Sequence, residues 1–315
     1  MFVVCGEALF DVFAIGDTST GISLDAKMGG SPFNLATGLA RMAQPVGLLT
    51  QISNGFLGER LMRALALEGI HTGMVQRSDK PTTLSLVGLS NSGVPSYGFY
   101  GEGCADRMLT QSVLNLVPAD TAVICFGSYS TVMGETALTQ RALIEQWQRK
   151  AVIAYDPNIR LNVQPDVNVW HDQIQWMLPR TDVLKVSDED LALINLDCDT
   201  DEFAARALTK GVSLVVITQG EQGCAAWTAC HHATVPAFQI KVIDTVGAGD
   251  SFQAALLAWL AEHHVLSPLA LKKLTMQQLQ AMLTFASSAA AVTCTRRGAD
   301  LPLRGDIAAA SVPNG

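Results

Sequence analysis

The chain has few aromatic residues (6%) and little charge (16% Asp, Glu, Lys and Arg). No Lys follows a Gly, so the G-x-x-x-x-G-K-[ST] phosphate loop is excluded. No G-x-G-x-x-G occurs, which argues against a nicotinamide dehydrogenase. Neither H-E-x-x-H nor G-x-S-x-G is present, removing the commonest zinc-peptidase and serine-hydrolase signatures. The seven cysteines (5, 104, 125, 198, 224, 230, 294) form no C-x-x-C pair and are odd in number. They read as small buried hydrophobes in a reducing compartment. His231-His232 and His263-His264 lack helical metal-ligand spacing and read as surface residues. No apolar run approaches the ~20 residues a bilayer requires, and 254–261 and 281–294 read as buried helices. The first basic residue is Lys27, so no secretory signal is expected and the chain is placed in the cytoplasm.

Hydrophobic residues make up 49% of the 315, with a mean hydropathy of +0.25. That excludes disorder over most of the length and fits one large domain or two small ones. Lys and Arg number 21 against 29 Asp and Glu, a net charge of −8. Such a charge speaks against coating nucleic acid or an anionic membrane, and leaves a small anionic ligand open.

Short Val-, Ile- and Leu-rich runs without alternation occur at 2–5, 46–52, 83–89, 122–126, 152–155, 183–186 and 214–218. They read as strands buried on both faces. Between and after them lie helical stretches at 32–42, 56–67, 136–149, 189–194, 202–209, 250–263 and 277–291. The alternation predicts a mostly parallel sheet with helices on both faces, an α/β fold. Segment 82–101 breaks the rhythm: two strand-like runs joined by Asn91-Ser92-Gly93-Val94-Pro95, with no helix between. This predicts an antiparallel hairpin, either an ordinary edge or a flap that excludes water beside a cleft.

The segment Asp244-Thr245-Val246-Gly247-Ala248-Gly249-Asp250 follows a strand-like stretch at 238–243 and opens an apolar helix. Small residues at 247–249 leave three bare N–H groups at a helix N-terminus, a site suited to an anion. Asp250 in the first turn serves either as a capping charge or as a general base beside that anion. A second cluster, Gly29-Gly30-Ser31-Pro32-Phe33-Asn34, lets a ligand approach the backbone, or merely starts a helix with Ser31 as N-cap. Asp11 follows the first strand, where α/β sheets place ligand contacts and where turns also use Asp. Thr218, Gly220 and Gly223 suit a turn hugging a nucleotide or a plain hairpin. Arg160, in Asp156-Pro157-Asn158-Ile159-Arg160, suits a phosphate, a sugar hydroxyl or plain solvent.

At 244–254 (DTVGAGDSFQA) and 29–41 (GGSPFNLATGLAR) the sequence resembles the ribokinase-like (PfkB) carbohydrate kinases. The likeness runs from GEALFD near the start to RRGAD near the end. It implies one three-layer α/β/α domain over 1–315, with a mostly parallel central sheet and a small β-sheet lid at 12–28 and 82–106. It implies ATP-dependent phosphorylation of a sugar hydroxyl, with Asp250 as base and Gly247, Ala248 and Gly249 as anion hole. Asp11, Gly29, Gly30, Asn34, Tyr100 and Arg160 would hold the sugar. Lys185, Ser187, Thr218, Gly220 and Gly223 would line the nucleotide. The family's N-x-x-E motif, which organises water around Mg²⁺, corresponds to Ser187-Asp188-Glu189-Asp190. Both end residues differ, so Asp190 inherits the Mg²⁺ role only in part. The family's frequent K⁺ site corresponds to the loop at Asp244, and an adenine-side Asn is replaced by Ser287.

GGSPFN and the lid segment 97–106 look most like bacterial fructokinases, implying D-fructose phosphorylated at its 6-hydroxyl. The nearest alternative is a 2-keto-3-deoxygluconate kinase. Those enzymes carry a lid Arg that pairs with the substrate carboxylate, where this chain has Gly101-Glu102. An acidic residue there would repel a sugar acid. A catalytically silent sugar- or nucleotide-sensing relative is the non-enzyme alternative. Family lids often pair, so a homodimer through the lid is expected, with no nucleic acid or membrane partner.

Overall fold

The computed structural model describes residues 1–89, 95–194 and 199–310. A nine-stranded sheet forms the centre. Its strands are β1 (Phe2–Cys5), β4 (Val46–Ser53), β5 (Val75–Ser78), β8 (Val123–Gly127), β9 (Val152–Asp156), β10 (Val183–Ser187), β11 (Leu214–Thr218), β12 (Cys224–Trp227) and β13 (His232–Val235). Their order is β13-β12-β11-β10-β9-β8-β1-β4-β5. All pairings are parallel except those of β12. The inner strands β1, β4, β8 and β9 are buried at every position, which is why they are apolar runs rather than alternating ones.

Ten α-helices lie among the described residues: α1 (Ser31–Arg41), α2 (Phe56–Leu67), α3 (Gly134–Trp147), α4 (Val167–Met177), α5 (Asp188–Leu193), α6 (Thr200–Thr209), α7 (Ala248–Glu262), α8 (Pro268–Leu271), α9 (Met276–Cys294) and α10 (Arg304–Ala310). They form the outer layers, and two hydrophobic cores result, one on each face of the sheet. Gly38 lets α1 press against α7, since a Cβ there would lie 2.6 Å from Ala254 Cβ. That contact sets the N-termini of α1 and α7 side by side. No helix among the described residues is long and apolar enough to cross a membrane.

A separate four-stranded sheet runs β3-β2-β6-β7, from β2 (Leu9–Thr18), β3 (Gly21–Gly29), β6 (Leu84–Leu89) and β7 (Pro95–Tyr100). The hairpin read at 82–101 is antiparallel β6–β7, and its turn residues 91–94 lie outside the described residues.

Three expectations change. The stretch 238–243 forms no strand; Ile240, Val242 and Ile243 are exposed and have no sheet to bury them. The helix at 31 is capped by Gly30 at φ 101°, so Ser31 is already helical. Cys230 is exposed, unlike the buried Cys5, Cys104, Cys125 and Cys224. Helix α4 escapes the apolar pattern; its start is fixed instead by the Asp166 side chain accepting from Asn168 N–H.

Candidate active site

The carboxyl ends of β1, β8, β9, β10 and β11 open on one edge of the large sheet, because those strands are parallel. The chain builds outward in opposite directions from β1 and β8, the position where open α/β sheets form a ligand crevice. Asp250 faces this edge from the first turn of α7 and is buried. Its Oδ1 accepts from Ser31 Oγ at 2.6 Å and its Oδ2 from Asn34 Nδ2 at 2.9 Å. Burial pushes the carboxyl above its ordinary range, while the Ser31 and Asn34 bonds and the charges of Lys185 and Arg160 pull it back. The result is a buried carboxylate held on both oxygens.

Gly247 caps α7 with φ 79°, and a Cβ there would lie 2.8 Å from Ala299 Cβ. Ala248 N–H turns back to Thr245 O at 3.2 Å, so it is not bare as expected. Among the described residues, the N–H groups of Gly247 and Gly249 make no backbone hydrogen bond. The Lys185 ammonium lies 3.2 Å from where a Cβ on Gly249 would stand, and bonds Asp156 Oδ2 at 2.7 Å. Burial pulls this ammonium down, but Asp156, Asp190 and Asp250 outweigh that and hold it charged. Lys185 thus sits beside the α7 N-terminus, paired with Asp156.

Asp11 occupies the face of β2 nearest Asp250, whose charge it feels together with that of Arg160. Burial raises its carboxyl and the Ser85 hydroxyl counteracts. A Cβ on Gly29 would collide with Asp11 Oδ2, and one on Gly30 would lie 2.8 Å from Glu7 O. Tyr100 is not brought to this face. Register pairs Asp11 with Ser85 and Ser85 with Phe99, so Phe99 shares Asp11's face and Tyr100 takes the opposite, exposed one.

Ser187 and Thr218 are register partners at the ends of β10 and β11. Gly220 and Gly223 have φ of 52° and 100°, and a Cβ at 223 would collide with Val235 O, so the turn requires glycine there. Asp190 is buried, and its Oδ1 accepts from Ile159 N–H at 2.9 Å. Asp156 Oδ1 is buried with no partner. Asp244 ties two loops, accepting from Val246 N–H at 3.1 Å and Gly298 N–H at 2.8 Å.

Some contributors escaped the sequence reading. Ser31 looked like a cap, and only the fold turns its hydroxyl onto Asp250. Glu7 follows β1 fully buried; desolvation lifts its carboxyl to about 7 despite the Ser128 and Ser130 hydroxyls. Asp106 is buried and accepts from Thr83 Oγ1 and from Tyr129 OH, pinning the base of the β6–β7 hairpin to the loop after β8.

Residues 1–304 match the pfkB family carbohydrate kinase pattern. The chain belongs to that family. A fructokinase of Rhizobium leguminosarum bv. trifolii is 35% identical over 280 residues, covering 89% of this chain and 86% of its own. Among solved structures, a fructokinase with bound ATP from Xylella fastidiosa superposes at TM-score 0.88 with 23% identity, over 98% of this chain and 97% of its own. A Vibrio cholerae O395 fructokinase in fructose, ADP and calcium ion bound form gives 0.81 and 22%, over 98% of each chain. Both likenesses bear on the fold: a family sheet with helices on both sides and a smaller separate sheet.

Proposed function

We propose that this chain is an ATP-dependent fructokinase, transferring the γ-phosphoryl group of ATP to the 6-hydroxyl of D-fructose. The observation that carries the chemistry is the buried Asp250, bonded to Ser31 and Asn34 at the mouth of a helix N-terminus. The choice of fructose is supported by the Rhizobium relative and by the fructose-bound structure.

Asp11, Gly29, Gly30, Asn34 and Arg160 hold the sugar with its hydroxyl on Asp250, and Phe99 replaces Tyr100 in that set. The hydroxyl oxygen bonds to the γ-phosphorus as its proton passes to Asp250. The bond from that phosphorus to the β–γ bridging oxygen breaks, and ADP leaves. The Gly247 and Gly249 N–H groups and Lys185 stabilise the charge on the moving phosphoryl group. Ser187, Thr218, Gly220 and Gly223 line the nucleotide.

Among the described residues no cluster of three or more His, Cys, Asp or Glu could cage a metal. That fits Mg²⁺, which keeps its waters and binds mainly through substrate phosphates. Asp190 and the unpartnered Asp156 Oδ1 would hold such an ion through water, and it would neutralise phosphate charge. Asp244 would hold a K⁺ only through the lone pairs left after each of its oxygens accepts one N–H bond.

The small sheet acts as a lid of the single 1–315 domain, excluding water from the cleft. Leu24, Met28 and Tyr100 lie exposed on the face turned away from Asp11. A second copy's lid covering this apolar face makes the protein a homodimer. The free cysteines fit a cytoplasmic setting.

The test is ADP release from ATP over D-fructose, ribose, adenosine and a no-sugar control. Turnover with the highest kcat/KM on fructose supports the reading. Silence with every acceptor rejects it in favour of a sensing relative.

A further inference from the structure

Arg41 ends α1, the helix whose first turn holds Ser31 and Asn34 on Asp250. Its guanidinium faces two ways. Nε and Nη2 donate to Glu68 Oε1 at 3.1 and 2.7 Å, and Glu68 caps the end of α2. Nη1 donates to Leu301 O at 2.5 Å and to Asp300 Oδ1 at 3.1 Å. Arg296 approaches the other oxygen of Asp300 at 3.7 Å. A planar fork of five donors serves these three acceptors at once, which a single ammonium does not span.

The segment that Arg41 holds, 295–303, forms neither helix nor strand. Its place therefore depends on side chains and not on a ladder of backbone bonds. It lies against the α7 N-terminus. A Cβ on Gly247 would stand 2.8 Å from Ala299 Cβ and 3.6 Å from Leu301 Cδ1. A Cβ on Gly38 would stand 2.7 Å from Leu301 Cδ2. The buried Leu301 thus wedges between α1 and the cap of α7. Gly298 N–H, donating to Asp244 Oδ2 at 2.8 Å, ties the same loop to the segment that leads into Gly247.

Gly247 holds a left-handed φ of 79° against this floor. Backbone donors stabilise a moving phosphoryl group only while they stay aimed at it. A misplacement of ~1 Å, even from a change far from the chemistry, costs up to about 10²-fold in rate. Without Arg41 the loop loses its donors to Leu301 O and Asp300, at the point where it meets both glycines.

We propose that Arg41 is a positioning residue for phosphoryl transfer, clamping residues 298–301 as the floor under Gly247 and so fixing the direction of the N–H groups at the α7 N-terminus. The inference rests on the kinase reading above. Helix α1 then serves the reaction at both ends, aligning Asp250 from its first turn and the anion cradle from its last. Arg41 touches neither sugar nor nucleotide in this reading. Its loss should leave ground-state binding in place and weaken what is made only in the transition state.

The experiment uses the full chain as wild type, Arg41→Gln, Arg41→Lys and Asp300→Ala. It follows ADP release with D-fructose, and inhibition by ADP with and without fluoroaluminate, which stands in for the phosphoryl group in flight. In Arg41→Gln, kcat should fall by about tenfold, with KM for fructose and affinity for ADP alone kept. The affinity that fluoroaluminate adds should fall by about the same factor. A partly unfolded sample would lower kcat but not that affinity. Asp300→Ala should shift both quantities in the same direction, and Arg41→Lys should fall between wild type and Arg41→Gln. Wild-type kcat in Arg41→Gln overturns the proposal, and so does a lower kcat with fluoroaluminate affinity unchanged. If Arg41→Gln fails to fold, wild-type values of both in Asp300→Ala overturn it. No turnover of fructose by wild type would instead sink the kinase reading and this inference with it.

Discussion

Asn34 Nδ2 donates to Asp250 Oδ2 at 2.9 Å, joining residues 216 positions apart in the chain. Each lies in the first turn of its own helix, and the Gly38–Ala254 contact brings those helices together. The glycine-rich segments that carry the family resemblance are therefore one site in space. Ser31 completes it from the other side of the carboxylate.

Ser31→Ala removes a donor that favours the charged form of Asp250. The Asp250 carboxyl, already above its ordinary 3.8 through burial, should rise further. The acid limb of kcat/KM should therefore move to higher pH, with activity lost first on the acid side. A pH profile of variant and wild type measures this. A limb that stays put or moves down would show that Ser31 does not hold the base.

Glu7 makes stability depend on pH. Its folded value is about 7 against an ordinary 4.5, so the folded state keeps a proton that the unfolded chain releases. Its contribution is full below pH 4.5 and lost as pH rises through 7, amounting to about 3 kcal/mol at most. Glu7→Gln, which cannot ionise, should gain stability over wild type at pH 8 and show no such gain at pH 4. Urea unfolding at both pH values decides it; an equal difference at each would place the titration elsewhere.

The lid face predicts an assembly. Leu24→Asp puts charge on the exposed apolar face opposite Asp11, where a second lid would pack. Sedimentation should show wild type as a dimer and the variant as a monomer with unchanged far-UV circular dichroism. Equal sedimentation of the two would exclude this face as the interface.

Six strands of the large sheet (β1, β4, β8, β9, β10 and β11) and the two apolar helices were legible because buried parallel strands and core helices are continuous apolar runs. The half-exposed edge strands β5 and β13 were not, and the run at 83–89 belongs to the small sheet. The first lid limb, β2 and β3, was legible only through the family resemblance. Its outer residues are exposed on both faces, so no apolar pattern marks it. The sequence marked Gly247, Gly249 and Asp250 as candidates because a helix N-terminus with small residues has a known chemistry, and the fold brings Asn34 onto Asp250. Tyr100 lies on the face away from Asp11 and its neighbour Phe99 on the same face as Asp11, because along a strand one residue is the other face.

The most direct measurement compares wild type with Asp250→Asn in ATP-dependent phosphorylation of D-fructose, with nucleotide binding measured alongside. The account predicts ADP release with fructose by wild type, a kcat lower by about 10²–10⁴-fold in the variant, and ATP affinity kept. A variant with near wild-type kcat would contradict the assignment of Asp250 as the base.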